Sequence, residues 1–536
     1  MKTDVEVTIS ELPFNQKAVT GVTFCYGINS IPVASIALDA TAIQQTNPEF
    51  LCNPDKFKKR DHLALIQVKS KTGCIKFEGY FDGLSISQSV GSIQYTAIVK
   101  SKFTRLAEIY PRMVGVMPGS FSIYRSAEQL FTDQDDPENP FPKLVVGNKL
   151  FLDTGQSIGE YLLTYLKAII ESQFNFQKFT NTTPDTVALF QTMQSEIFKK
   201  NLQEAIPLLN KVDISYVNKC TITGRLTADI IAALTLGEHA SLWDLMINAY
   251  NFLGCCLLVG NDGITIVPQA AFLKFQHDVP APKAASHKIN AANPADYNSY
   301  AISNTGFNNI RYCHVVIDAS GLPEQAKRSA ARLANSMGVY PTKAQEGETP
   351  DDGSSGILVV KASPFLLTGL TFGVTGNADM QQRIKANQPY FKVPVETPDT
   401  ERQKKEKQNQ ETLAKQAAID DHLNAYAKLK FMQMKYSDRV GQLSLYFNPK
   451  WVPATTGSLY SRLPGLFVQF YVTSVIHTIQ MAAPSSGTAT TNVSFSSVRM
   501  GAKANNIYSI AKEDLFNYTE ADMLGLQNKW VKDVSK

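Results

Sequence analysis

Charge imbalance, cysteine and long apolar runs are all scarce in this 536-residue chain, and each shortage removes a class of function. Its 52 basic and 48 acidic side chains leave a formal net charge of +4, too small to demand a nucleic acid or an anionic membrane as partner. The seven cysteines, Cys25, Cys52, Cys74, Cys220, Cys255, Cys256 and Cys313, are sparse and odd in number. They read as reduced, mostly core thiols, not as a disulfide framework. No stretch approaches the roughly 20 apolar residues that cross a bilayer; the best, Leu226 to Leu236, is short and contains Thr227, Asp229 and Thr235. Met1 to Ser10 (MKTDVEVTIS) alternates charged and apolar residues without the apolar core of a signal peptide. The expectation is a chain that begins directly with structure, is made and folded in the cytoplasm, and does not insert into a membrane.

Catalytic motifs are missing as well. The seven histidines, His62, His239, His277, His287, His314, His422 and His477, stand singly, without the i, i+4 pairing that sets two imidazoles around zinc. Cys255 with Cys256, and Cys313 with His314, are sequence neighbours, which in a strand point to opposite faces. No phosphate-cradling glycine loop, nucleophile elbow or dinucleotide fingerprint occurs. Asp133, Asp135, Asp136 and Glu138 resemble a calcium loop, but Pro137 and the lack of the turn glycine break it. No catalytic, cofactor-binding or metal-ligating residue is assigned, no cofactor is expected, and the chain reads as a non-enzyme. His477 invites a catalytic or pH-sensing reading, yet within an ordinary strand it reads as a hydrogen-bonded structural histidine.

What is present is the patterning of a folded, multi-domain protein. Hydrophobic residues make up 44% and charged residues 19%, so the chain folds, and its length implies two to four domains. Strand texture runs from Val5 to about Arg105: Ala18 to Gly27, Ile31 to Leu38, His62 to Lys71, Cys74 to Ser85 and Ile93 to Phe103. Lys71, Thr72 and Gly73 sit at hairpin distance between two of them. Helical spacing follows. Ser157 and Glu160 form a capping box before Ile158, Leu162, Tyr165, Leu166 and Ile169; Leu189, Phe190, Met193 and Ile197 line a second helix, and Leu226 to Leu236 is a third. Ser241 with Asp244 opens a fourth, which Gly254 ends. Cys255 to Val259 and Ile264 to Val267 flank the turn residues Asn261, Asp262 and Gly263. Strands return at Ile310 to Ile317 and Gly356 to Lys361, with Ala344 to Gly356 a solvated linker. A long helix spans about 400–436, with Leu413, Ala417, Leu423, Ala427 and Met434 as its seam.

Near the C-terminus, Val468 to Ile479 (VQFYVTSVIHTI) alternates. Val468, Phe470, Val472, Ser474 and Ile476 fall on one face, and Gln469, Tyr471, Thr473, Val475 and His477 on the other. Ala482 to Gly487 reads as a loop, and Thr491 to Arg499 returns as the second strand of a β-hairpin. This text resembles the baseplate hub proteins of bacteriophage tails, the family shared with the hub part of type VI secretion spikes. In that family a Tyr-x-Val-x-x-Val-x-His strand precedes a Thr-rich strand ending in Arg; the matching positions are Tyr471, Val472, Val475, His477, Thr491 and Arg499. Tyr471 and Val472 lack the intervening residue of that form. Phe77 to Leu84 with Tyr95 to Lys100, Ser241 to Pro268, and Asn424 to Phe447 with Asn448 and Pro449 match further family segments in the same order.

The resemblance implies a mixed α+β, strand-dominated fold with two small tube-like antiparallel β-barrels separated by a helix-rich insert. The implied domains are a first barrel at 1–115, the insert at 116–255, a second barrel region at 256–500 and a tail at 501–536. It implies a homotrimer whose six pseudo-equivalent barrels form a ring in the virion tail baseplate. Such a ring meets the tail tube or an adaptor protein, a central spike and the tape-measure protein, and DNA only in transit. No Val-Gly-rich repeat follows Met500, so the spike is expected from another chain. Alternatives are the hub of a secretion-type injection machine, a tail-associated peptidoglycan-degrading enzyme using the segment from about Ser157 to Gly254, and a receptor-binding fibre, which the missing repeats disfavour. The tail, with Leu515, Phe516, Leu526 and Trp530, either folds back or docks on a neighbour, with docking favoured.

Overall fold

The computed structural model describes residues 5–58, 63–89, 92–109, 163, 166, 204–217, 241–252, 254–269, 290–304, 312–317, 337–340, 357–362, 406, 423–424, 426–428, 430–431, 439–462, 467–483, 486–501 and 520–535. The expected helices near 157–169, 184–197 and 226–236, the acidic run at 133–138 and the linker at 344–356 lie wholly or almost wholly outside them.

Six strands open the fold: β1 (Val5–Ser10), β2 (Val19–Gly27), β3 (Val33–Leu38), β4 (Ala64–Ser70), β5 (Gly73–Ser89) and β6 (Ser92–Ser101). Alternation of buried and partly exposed residues in β3 and β4 shows one-sided burial. The β4–β5 turn is the two residues Lys71 and Thr72, with Gly73 at φ +155°. Between β3 and β4 the sequence reading missed two short helices, α1 (Ala40–Thr46) and α2 (Pro48–Cys52). Asp39 caps the first by accepting from the Thr41 amide, and Asn47 caps the second by accepting from Phe50, with Pro48 at its start. Phe50 is fully buried against Phe14, Phe57 and Phe81, so this segment seals part of the first core. A third helix, α3 (Thr104–Glu108), follows β6.

The central pieces are a helical stretch at 204–209, β7 (Val212–Asp213), α4 (Leu242–Phe252), β8 (Cys255–Val259) and β9 (Ile264–Pro268). The α4 start is a reciprocal cap, as expected: Ser241 Oγ donates to Asp244 Oδ2 at 2.7 Å, and the Asp244 amide donates to Ser241 Oγ. Gly254, at φ +73°, ends it. β8 and β9 are buried throughout, both cysteines included. Next come β10 (Ala291–Ala292), β11 (Tyr297–Asn304), and a separate small sheet of β12 (Tyr312–Ile317), β13 (Met337–Tyr340) and β14 (Ile357–Ala362). The described helical residues 423–424, 426–428 and 430–431 place Leu423 and Ala427 in the core, which accounts for the described part of the expected seam.

The remaining strands, β15 (Arg439–Tyr446), β16 (Thr456–Tyr460), β17 (Phe467–Ala483) and β18 (Ser486–Gly501), belong to the same sheet as β1–β6. The hydrogen-bonded path runs β1-β4-β5-β6-β3-β2-β17-β18-β15-β11, with β16 pairing β17 and β10 pairing β16. The protein is strand-dominated, as expected. In place of two closed barrels, these strands form one twelve-stranded sheet, and among the described residues no sheet closes. It curls around two cores. The first gathers β1–β6 with α4, β8, β9 and the C-terminal helix α5 (Glu520–Ser535). A second and smaller core holds Leu443, Trp451, Val468, Phe470, Val472, Val475, Val493 and Phe495. Its centre is an aromatic stack, with the Phe470 and Phe495 rings 4.0 Å apart and Trp451 parallel to Phe470.

Candidate functional site

The β17–β18 hairpin belongs to both curls. Residues Phe467–Tyr471 of β17 pair with β16, whereas Ser474–Gln480 pair with β2, and β18 runs along the other side. The expected strict alternation of faces does not hold. Between Val472 and Ser474 the register gains one residue on β17, Thr473, whose side chain donates to the Ser494 carbonyl. Val475 therefore joins Val472 and Phe470 in the second core, not Tyr471 on the opposite face. A compensating bulge lies on β18, where Ser497 takes φ +54°. Tyr471, Ile479 and Ala489 face the first core. One hairpin thus supplies side chains to two interiors: Val475 and Ile479 share a face with no bulge between them and reach the second and the first core in turn, while Tyr471 reaches the first core from the opposite face.

At the waist between the two curls sits His477, 1% exposed and directly opposite Thr491 in the register. Its Nδ1 lies 2.9 Å from Thr491 Oγ1. That same oxygen accepts from the Asn448 amide at 2.8 Å. Phe447 and Tyr26 meet the imidazole edge-on, and Trp530 of α5 meets Tyr26. Thr72 Oγ1 donates to the Phe447 carbonyl at 2.7 Å, and a Cβ on Gly73 would lie 2.5 Å from Pro449. Five segments converge: β2, the β4–β5 turn, the corner at 447–450, the hairpin and α5. Burial lowers the His477 pKa to about 3, so the imidazole is neutral in neutral solution and acts as a hydrogen-bonding tie. The structural reading of this histidine holds.

A second tie anchors α5. Gln527 donates to the Lys450 carbonyl at 3.2 Å, and Lys529 pairs with Asp213. Asp533 accepts from the Asp262 amide at 2.6 Å, while Asn261 Nδ2 donates to the carbonyls of Lys76 and Asp533. Burial raises the Asp533 pKa to about 6 against the pull of those amides. Glu78 nearby is also pushed up by burial, but Lys76 at 2.6 Å, helped by Lys102, holds it below its usual range. With Leu526, Trp530 and Val534 buried, the described part of the tail packs on its own chain, which corrects the expectation that it docks on a neighbour.

Of the family-matched residues, Tyr471, Val472, Val475, His477 and Thr491 are brought together along the hairpin; Arg499 pairs with Gln469 at its far end. Tyr471 Oη lies 3.8 Å from Cys256 Sγ, tying the hairpin to β8. Sequence reasoning missed Asn290. Its side-chain amide accepts from the Val452 amide and donates to the Val452 carbonyl, each at 3.0 Å, as a strand backbone would. Its backbone at φ +44° was the one signal in its residue type. Among the described residues no group of three or more His, Cys, Asp or Glu is placed to hold a metal. Cys313 is buried on one face of β12, and His314 lies on the other.

No family model matches the chain, and no curated protein matches it. Among solved structures it is similar to a tail protein from Neisseria meningitidis MC58, at 7% identity and TM-score 0.40 over 92% of this chain and 97% of that one. It is similar to the 43 kDa tail protein of prophage MuSo2 from Shewanella oneidensis, at 8% identity and TM-score 0.40 over 92% and 98%. It is also similar to a chain of the Francisella PdpA–VgrG complex, at 6% identity and TM-score 0.33 over 97% of this chain and 60% of that one.

Proposed function

We propose that this chain is a non-enzymatic structural subunit of a phage-type tail, a baseplate hub that joins the tail tube to a central spike. The observation that carries this reading is the β17–β18 hairpin, which serves two adjacent cores and locks them at His477. A subunit whose one sheet serves two cores can present two wall segments, and three copies then form a ring of six around a lumen. Near-balanced charge suits a lumen through which DNA passes without being held. On this reading the divisions fall near residues 115, 255 and 500, no residue is catalytic, and the tube or adaptor, spike and tape-measure proteins are the partners. The assembled tail is its location.

Mass measurement on the purified protein, followed by negative-stain class averages, tests this. A trimeric ring with a central hole is expected; a compact monomer at every concentration would sink the reading. Zymography on peptidoglycan tests the enzymatic alternative, with no clearing expected.

A further inference from the structure

Five large apolar side chains stand well exposed among the described residues, and four of them fall on two patches. The first patch is the free end of the β5–β6 hairpin. β4 pairs with β5 only from Gly73 to Gly79, and β3 pairs with β6 only from Tyr95 to Lys100. Beyond those limits the two strands pair with each other alone. Ile86 and Ile93, 57% and 51% exposed, lie diagonally on one face of this arm. From Gly83 to Thr96 (GLSISQSVGSIQYT) there is no charged residue and no proline. Projecting strands in a monomer are normally protected by one or the other, and a bare two-stranded hairpin is marginal in water.

The second patch is the outer face of β15, next to β11 at the end of the strand path. Val440 and Tyr446 are 44% and 46% exposed there, with Gln442 and Ser444 between them, while Leu443 and Leu445 point into the core. Neither Val440–Tyr446 nor Tyr297–Asn304 contains a charge. In a chain that is 19% charged overall, two neutral, apolar-bearing surfaces of this kind are unusual. Each would desolvate the charges of an ordinary protein surface, and each suits the other.

We infer that the β5–β6 arm of one copy packs its Ile86 and Ile93 face on the β11–β15 outer face of a second copy, which carries Val440 and Tyr446. Because the two patches differ, the contact is head-to-tail, the kind that closes into a ring when the rotation permits. This deepens the ring-subunit reading and rests on it for closure.

The test uses the full-length chain with two double variants, Ile86→Lys with Ile93→Lys, and Val440→Lys with Tyr446→Lys. Analytical ultracentrifugation measures assembly, and an unchanged thermal melt checks that each variant folds. Each variant alone is expected to be monomeric, and an equimolar mixture to form 1:1 dimers, since one intact arm then meets one intact face. A wild-type ring with either variant still assembling normally, or a mixture that stays monomeric, overturns this contact and leaves the ring reading standing. A wild-type protein that never assembles overturns both.

Discussion

At the scale of single residues, the waist histidine has the sharpest consequence. In the unfolded chain His477 titrates near 6.5, and in the folded protein burial moves it to about 3. Between those values the unfolded state binds the extra proton, so stability is full above about pH 6.5 and is lost as pH falls toward 3. By pH 5 the loss is on the order of 2 kcal/mol. Asp533 acts in the opposite sense: its raised pKa stabilises the fold at low pH and that contribution is lost as pH rises through about 6. His477→Asn is therefore expected to remove the acid-side loss in urea-denaturation midpoints compared at pH 7 and pH 5; a variant with the same acid-side loss as wild type would show that this histidine does not titrate as argued. Thr491→Val keeps the volume but strands the Asn448 amide and the His477 Nδ1, both deep in the joint. The expected cost is about 1–3 kcal/mol in the same assay.

At the scale of elements, too, long-range ties hold the chain together. α5 joins three parts of the fold through Trp530 on Tyr26, Gln527 on Lys450 and Asp533 on the β8–β9 turn. Trp530→Ala is expected to cost about 3–5 kcal/mol, and the slowest-exchanging amides of β2 and β5 should speed up together with those of β11 and β15, because both cores open in one step. Acceleration confined to α5 would mean that the helix frays without opening the cores. Some of these elements were legible beforehand. The Ser241–Asp244 cap, the stop at Gly254 and the strands β2 to β6 follow from chemistry within a few residues, and the sequence reading located them to within a few positions. α1 and α2 escaped it because each is shorter than two turns and too brief to show a helical period, although Asp39, Asn47 and Pro48 are sound start signals.

For the whole molecule, a hairpin shared by two cores predicts one unfolding transition. Phe470→Ala, at the centre of the smaller core, is expected to cost about 3–5 kcal/mol and to bring down the larger core with it. Fluorescence can report each side separately in single-tryptophan variants, since Trp451 lies in the smaller core and both Trp243 and Trp530 lie in the larger. Coincident transitions in variants retaining only one of these tryptophans support the shared hairpin; two separated transitions would mean that the curls are independent domains.

The local grammar of this protein is legible in its sequence: which segments are strands, where the caps and tight turns fall, and that the C-terminal hairpin exists, whereas the expected burial of the cysteines holds for Cys255, Cys256 and Cys313 but not for the exposed Cys52. The legible features depend on side-chain periodicity and on backbone preferences that reach only a few residues. Only the tertiary structure decided that β2 pairs with β17 across more than four hundred residues of chain, that Thr473 bulges and sends Val475 to a different core, and that the tail helix returns to its own molecule. These outcomes are set by which distant surfaces bury each other best, and no local pattern contains that information.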